Sequence, residues 1–306
     1  MPNPAVDAIS LILRNDPRYP PLLREIPRPP QGIHVRGSLS AISVPIVPAV
    51  PSPRTTAAAI AIAIVGTRRA SPEGKTIAHR FARELAAAGC TIVSGLAFGI
   101  DAAAHEGCLA AGGKTIAVLA GGLDGVYPRN HARLAERILA TGGGLVSEYP
   151  PGAAPYPSRF IERNRIISGL ARGTLIVEAP PHSGALTTAR QAALANRDVF
   201  AVPGSIAHDH FAGSHALIRQ GATLVTAAHD ILEEYGLAVR GNADTIPADA
   251  TPQEVLVLRA LRAHPAPQDA ERIAAATGLG TRDAARAIGF LLAKDLIKEA
   301  GVGYTI

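Results

Sequence analysis

The sequence predicts an α/β fold: a doubly wound parallel sheet with helices on both faces, followed by a small C-terminal winged-helix domain. Three observations carry that expectation. Short continuous apolar runs alternate with helical stretches from Ile60 to Val202, the pattern of strands buried on both faces. Glycine-rich turns stand where those runs end. Beyond Thr251 the alternation stops, and three helical stretches precede a short hairpin pattern.

Residues 1 to about 37 read as a lead-in whose Asp16-Pro17-Arg18-Tyr19-Pro20-Pro21 run excludes a long helix. The segment is expected to pack along the main domain. Pro45, Pro48, Pro51 and Pro53 mark an extended, exposed loop over 45–56. Ile60 to Val65 is the first buried strand, and Pro72 to Ala88 a helix with proline in its first turn and Gly89 beyond its end. Strands at Thr91 to Val93 and Thr115 to Leu119 flank a helix from Ala102 to Ala111 that stops at Gly112-Gly113. Helix Arg129 to Ala140 leads to strand Leu145-Val146-Ser147, helix Arg159 to Leu170 to strand Leu175 to Glu178, and helix Leu186 to Ala195 to strand Val199 to Val202. The domain boundaries expected are 1–56 for lead-in and proline-rich loop, 57–236 for the main domain, 237–250 for a linker and 251–306 for the C-terminal domain. In that last domain Pro252 to Ala263, Gln268 to Thr277 and Thr281 to Lys294 read as helices, and Leu296 to Ile306 as a hairpin. Three helices and a hairpin are the winged variant of the helix-turn-helix. Its third helix carries Arg282, Arg286 and Lys294, a basic content that suits a protein-contact module as well as a DNA reader.

With 306 residues, 47% hydrophobic composition and no charge blocks, the chain has room for a large core and a second small one. The net charge of +5 is compatible with a polyanionic partner. Lysine occurs only at Lys75, Lys114, Lys294 and Lys298, so arginine, the better fork for phosphate, supplies nearly all of the cation. Cys90 and Cys108 form no CxxC pair, which argues against a disulfide scaffold and a cysteine zinc site. There is no leader pattern at the N-terminus. The apolar stretch from Ala57 to Val65 is about half of the ~20 residues that a membrane helix needs. A cytoplasmic protein with no membrane span is expected.

The turns hold the candidate chemistry. They read Val65-Gly66-Thr67-Arg68, Ser94-Gly95-Leu96-Ala97-Phe98-Gly99-Ile100-Asp101, Ala120 to Gly125, and Ser183-Gly184-Ala185-Leu186-Thr187-Thr188, with Phe160-Ile161-Glu162-Arg163-Asn164-Arg165 before the last. In parallel sheets ligands bind beyond the carboxyl ends of the strands, where these turns fall. Glycine lets backbone N–H groups approach an anion, and each following helix start adds partial positive charge. The row therefore reads as an edge for a nucleic acid or a nucleotide. Arg68 can grip a phosphate through two bonds. Of Arg163 and Arg165, one is expected to face ligand and the other a buried carboxylate, Glu148 or Glu178. Ser183-Gly184 combines a helix cap with a close-approach site. Asp101 and His105 share a helix face. Asp101 is read as the cap of that helix and His105 as a structural histidine rather than a base. His208, Asp209, His210 and His215 form a loose cluster without a fixed ligand spacing, so no metal is assigned. No Walker lysine and no GxGxxG follows a strand. No cofactor and no catalytic residue is assigned: the turns read as built to bind.

In their order along the chain these motifs are similar to those of a known family. The residues are Ile64-Val65-Gly66-Thr67-Arg68, Val93 to Asp101 with His105, Tyr127-Pro128 with Asn130, Leu145-Val146-Ser147-Glu148, Arg163-Asn164-Arg165, Ser183-Gly184 through Thr188-Ala189, and Val202-Pro203-Gly204. The chain resembles the DNA-processing protein A (DprA/Smf) family, the recombination mediators of bacterial natural transformation, from about Asp16 to Ile306. The resemblance implies an extended Rossmann-like domain that dimerises, binds single-stranded DNA in a basic pocket at the strand ends, and hands the strand to the RecA recombinase. Carried over, the pocket uses Gly66, Thr67, Arg68, Ser94, Gly95, Arg163, Asn164, Arg165, Ser183, Gly184 and Thr187. The lead-in is shorter than the sterile-alpha-like N-terminal domain of many members, Ile161 stands where the family often has proline, and His215 where it often has asparagine. With no Trp, six Phe and six Tyr, base stacking is expected at one or two positions, from Phe98, Tyr127 or Phe160, and phosphate contacts are expected to dominate.

Two other readings are distinct in kind. A nucleotide phosphoribohydrolase of the lysine-decarboxylase-like fold uses Pro-Gly-Gly-x-Gly-Thr-x-x-Glu, but the corresponding Pro180-Pro181-His182-Ser183-Gly184-Ala185 lacks that glutamate. A transcription regulator would read duplex DNA with the winged helix and sense a nucleotide with the main domain.

Overall fold

The apolar run Ala61–Val65 forms β3, buried along its whole length, and the sheet is wound outward from it in both directions. In the computed structural model, which describes residues 8–42, 60–237, 250–264, 267–294, 296–301 and 303–305, nine strands share one sheet. They are β1 (Ile9–Leu13), β2 (Gly32–Gly37), β3, β4 (Thr91–Ser94), β5 (Thr115–Leu119), β6 (Gly144–Ser147), β7 (Gly173–Ile176), β8 (Asp198–Ala201) and β9 (Thr223–Leu224), in the order β1-β2-β6-β5-β4-β3-β7-β8-β9. From β6 through β9 every neighbouring pair is parallel. The chain steps from β3 through β4 and β5 to β6, then returns to the other flank of β3 as β7, with Val65 paired to Ile176. The loops leaving β3 and β7 thus part in opposite directions, which opens a crevice at the carboxyl ends of these two strands.

Helices close both faces: α1 (Pro21–Arg24), α2 (Pro72–Ala87), α3 (Ile100–Ala110), α4 (Ala132–Ala140), α5 (Pro157–Gly169), α6 (Gly184–Leu194), α7 (Ala212–Arg219) and α8 (Ala228–Glu234). Alternate residues of a strand face opposite layers. Ile116 and Val118 of β5 join a core with Ile166 and Ile167 of α5 and Ala189 of α6. Ala117 and Leu119, between and beyond them, pack instead on Leu134 and Ile138 of α4. Helix α2 starts as its sequence directs. Ser71 accepts from the Gly74 N–H at 2.9 Å, and Pro72 occupies the first turn, where its missing N–H costs nothing.

The lead-in departs from expectation. It does more than pack along the domain, since β1 pairs antiparallel with β2 and β2 antiparallel with β6. The sheet is therefore mixed at this edge rather than wholly parallel. Tyr19 anchors the connection: its ring is fully buried and its hydroxyl donates to the Pro30 carbonyl at 3.0 Å. Strand β7 lies two residues earlier than expected, leaving Glu178 beyond the ladder.

The chain divides into two compact units, Met1–Leu237 and Ala238–Ile306. The proline-rich loop at 45–56 and residues 238–249 of the expected linker lie outside the described residues. Within the second unit are α9 (Pro252–Ala263), α10 (Ala270–Thr277), α11 (Thr281–Ala293), β10 (Lys298–Ala300) and β11 (Gly303–Thr305). Thr251 and Glu254 cap α9 reciprocally, the Thr251 N–H donating to Glu254 at 2.7 Å and the Glu254 N–H to the Thr251 hydroxyl at 3.3 Å. Helix α10 begins at Ala270 rather than Gln268, because Gln268 bridges to Tyr304 of the hairpin and Asp269 takes the cap. Gly278, at φ +70°, ends it in the left-handed conformation. Val257, Leu261, Ile273, Ile288 and Leu291 form this unit's own core. Among the described residues no helix is long and apolar enough to cross a membrane.

Candidate functional site

A cavity of about 400 Å³ opens at the crevice between the β3 and β7 loops. Gly66, Thr67, Arg68 and Arg69 form one wall, Phe160, Arg163 and Asn164 of α5 a second, and Pro180 to Gly184 a third.

The β3 loop is rigid for reasons legible in its residues. A Cβ at Gly66 would lie 2.9 Å from the Glu178 carbonyl and 2.9 Å from Ile100 Cβ, so no side chain fits. Thr67 is stapled on both sides. Its N–H donates to the Glu178 carbonyl at 2.7 Å, its carbonyl accepts from Ile100 at 3.3 Å, and its hydroxyl accepts from the Arg69 N–H at 3.2 Å. This fixes the exposed Arg68 and Arg69 at the rim. The Arg68 guanidinium lies 4.7 Å from the centroid of Phe160, a cation–π contact worth about 1 kcal/mol that leaves its N–H edges for a ligand. Among the described residues no carboxylate lies within ion-pair distance of Arg68.

Opposite, Ser183 caps α6, its hydroxyl accepting from the Ala185 N–H at 3.3 Å. Asn164 donates to the Gly184 carbonyl at 3.3 Å and ties the α5 wall to this loop. A Cβ at Gly184 would touch nothing. The protein's own packing does not require glycine there, and its absent side chain leaves the start of an eleven-residue helix bare to the cavity.

One member of the α5 wall is a buried arginine. Arg163, only 3% exposed, donates through one Nη to the Gly95 carbonyl at 2.7 Å and to the Val118 carbonyl. A Cβ at Gly95 would fall 2.6 Å from the Arg163 Cζ. Asp101, also buried, accepts from the Gly95 N–H at 3.2 Å and the Ala97 N–H at 3.4 Å. Burial pushes the Asp101 carboxyl up, opposed by Arg163 and those N–H groups; burial pulls Arg163 down to about 10, opposed by Asp101. The two groups act on each other electrostatically beside the site.

Several expectations are corrected here. Of the two α5 arginines, Arg165 meets Glu148, one of the two carboxylates expected, while Arg163 reaches the cavity lining but is not a free fork for ligand. Arg163 is spent on carbonyls, and Arg165 binds both oxygens of Glu148 at 2.6 and 2.7 Å, away from the cavity lining. Ser94 is buried and donates to the Ile64 carbonyl at 2.6 Å; with Gly95 it builds the scaffold behind the cavity and does not line it. Thr187 gives way to Thr188, which does. Phe98 stands outside, edge-on to His131 at 4.8 Å. Asp101 does not cap α3, whose cap position is Gly99 at φ +80°; it holds the preceding turn instead.

The carboxylate that matters most locally is Glu178, which the sequence marks only as a partner for an arginine. Fully buried, it accepts from the Ser71 N–H at 2.9 Å and meets His210 Nδ1 at 2.9 Å, joining the loops after β3 and β8. A carboxylate closing an apolar strand was the available signal. His210 is thereby occupied, and His215 meets the Gly204 carbonyl at 3.0 Å. Among the described residues no group of three or more His, Cys, Asp or Glu is placed to hold a metal ion.

His105 is a structural residue with a measurable signature. Its Nδ1 lies 2.7 Å from the Thr115 hydroxyl, which itself donates to the Ile92 carbonyl at 2.8 Å, so Nδ1 carries the proton. Burial pulls the imidazole down to about 3. The unfolded chain, with a pKa near 6.5, takes up a proton that the folded chain refuses, so stability is full above about pH 6.5 and falls as the pH drops toward 3. Between pH 7.5 and 5.5 this group alone is expected to remove about 1 kcal/mol. Urea unfolding of the wild type and His105→Gln at both pH values checks this, and an identical pH dependence in the two proteins refutes it.

Comparison with known proteins agrees with this architecture. The family model described as DNA recombination-mediator protein A matches residues 10–236. Protein Smf of Escherichia coli is 44% identical over 221 residues, 72% of this chain and 55% of that protein. The chain thus spans about half the length of such curated relatives. The X-ray structure of DNA processing protein A from Streptococcus pneumoniae superposes with a TM-score of 0.66 at 39% identity, covering 76% of each chain. A structure of the Helicobacter pylori protein, described for its single-stranded DNA binding mode, gives 0.62 at 26% identity and covers 75% of this chain and 96% of that one.

Proposed function

The chain belongs to the DNA recombination-mediator protein A family, and from that premise we propose that it binds single-stranded DNA in the cavity between β3 and β7 and delivers the strand to RecA as a cytoplasmic homodimer. One observation carries the proposal. Arg68, without a carboxylate partner, is held over Phe160 at the rim of a cavity whose opposite wall is the bare start of α6. Gly66, Thr67, Arg68, Asn164, Ser183 and Gly184 contact the strand in this reading. Ser94, Gly95 and Arg163 hold the site in shape, and Arg165 and Thr187 act from outside it. The binding description of the Helicobacter pylori relative supports the same class of ligand.

In this role the protein moves a strand and breaks no bond. Asp101 reaches the cavity wall, but two backbone N–H groups engage its carboxylate. Glu178, the carboxylate nearest the Pro180–Ala185 turn in sequence, is buried, accepts from the Ser71 N–H and lies 2.9 Å from His210 Nδ1. The phosphoribohydrolase reading lacks the glutamate of its signature in the Pro180–Ala185 turn. The three helices and hairpin of the second unit are read as a winged helix-turn-helix.

The test is the affinity for oligo-dT between 50 and 300 mM salt. If about three phosphates are neutralised, log Kd against log salt has a slope of magnitude roughly 2, at about 0.7 per contact. Affinity that stays constant across that range rules out the mechanism.

A further inference from the structure

The exposed aromatic residues of the first unit are not scattered. Phe98, Tyr127 and Tyr156 are 46%, 53% and 59% exposed, while Tyr19, Phe81, Phe200 and Phe211 are buried. Each exposed ring stands on the loop leaving one of three successive strands, Phe98 after β4, Tyr127 after β5 and Tyr156 after β6. Strands β6, β5 and β4 are neighbours in the sheet, so the three rings leave its carboxyl edge from three adjacent strands. Every ring is braced. Phe98 meets His131 edge-on at 4.8 Å, Tyr127 meets Phe160 edge-on at 5.7 Å, and Arg159 lies 5.3 Å from the Tyr156 ring and 4.3 Å from Tyr149. Phe160 is also the ring beneath Arg68, which joins the row to the cavity. The nearby carboxylates are engaged, Asp124 by the Gly152 N–H and Glu162 by the Tyr149 hydroxyl. The other flank is different: the loop after β8 offers Ile206, 95% exposed, and the exposed imidazoles of His208 and His210, but no exposed phenyl or phenol ring.

We propose that the row Phe98, Tyr127, Tyr156 is a base-stacking track, and that the single strand leaves the cavity across the β4–β6 side of the sheet edge and not across the β8 side. This rests on the DNA-binding reading above and gives it a direction. Braced rings with an open face suit stacking, which tolerates any base because every base has a π-face. The track thus adds affinity through bases, while the cavity rim acts through phosphates.

The test compares a dT 12-mer with an abasic 12-mer of the same backbone. Phe98→Leu, Tyr127→Leu and Tyr156→Leu are each expected to weaken binding of the dT strand on the order of tenfold, to leave the abasic strand unchanged, and to keep the wild-type melting temperature. Ile206→Ala is expected to change neither. Wild-type binding of dT with all three ring variants unaffected, or equal losses on both oligonucleotides, overturns the track and spares the cavity. A wild type that binds neither strand overturns both.

Discussion

Replacement of Arg163 by methionine is expected to lower the stability of the first unit by about 3–5 kcal/mol, the range for breaking a buried charge arrangement from one side. Methionine approximates the aliphatic stem, so the loss isolates the guanidinium. The Gly95 and Val118 carbonyls lose their donor, and the buried Asp101 loses its cation. For a unit of this size the melting temperature should fall by roughly 10 °C. Arg163→Lys is expected to recover little, since one ammonium cannot reproduce a planar fork. Gly95→Ala should act in the same direction, because its Cβ falls on the guanidinium. Unfolding followed by circular dichroism decides the matter, and a methionine variant as stable as wild type would remove Arg163 from the scaffold.

That arginine shows where sequence stops short. The parallel strands were legible because burial on both faces writes them as continuous apolar runs, and Thr115–Leu119 occurs as expected. The strands β1 and β2 were not. They are strands of mixed polarity separated by prolines, β1 at the edge and β2 next to it, and β2 finds its partner β6 more than a hundred residues away, a pairing with no local mark. The site divides along the same line. Gly66 to Arg68 and Ser183-Gly184 were readable as glycine turns at strand ends. The glycine at 95 carries an identical signal for another cause, since a Cβ there would meet the Arg163 guanidinium. Two arginines at i and i+2 must point to different sides of a helix, and Arg163 and Arg165 do. Which carbonyls or carboxylates await them depends on strands β4, β5 and β6, which only the folded chain brings together.

Arg68→Ala, in contrast, should leave the melting temperature unchanged and weaken binding of single-stranded DNA about 30- to 100-fold, the equivalent of ~2–3 kcal/mol for a charge-assisted contact. The side chain is exposed and has no ion-pair partner to lose, so its removal costs the fold almost nothing. The salt dependence separates this residue from the stacking row. Losing one phosphate contact reduces the slope of log Kd against log salt by about 0.7, whereas a lost ring leaves the slope intact. Arg68→Lys should keep the slope and still lose affinity, because the ammonium releases the same counterion without the two-pronged grip or the flat stack on Phe160. Phe160→Leu removes the support while leaving the charge, so it should resemble Arg68→Lys in slope and lose additional affinity for the dT strand over the abasic one. An Arg68→Ala protein with wild-type affinity and wild-type slope would place the phosphates elsewhere, and the crevice between β3 and β7 would then not be the DNA site.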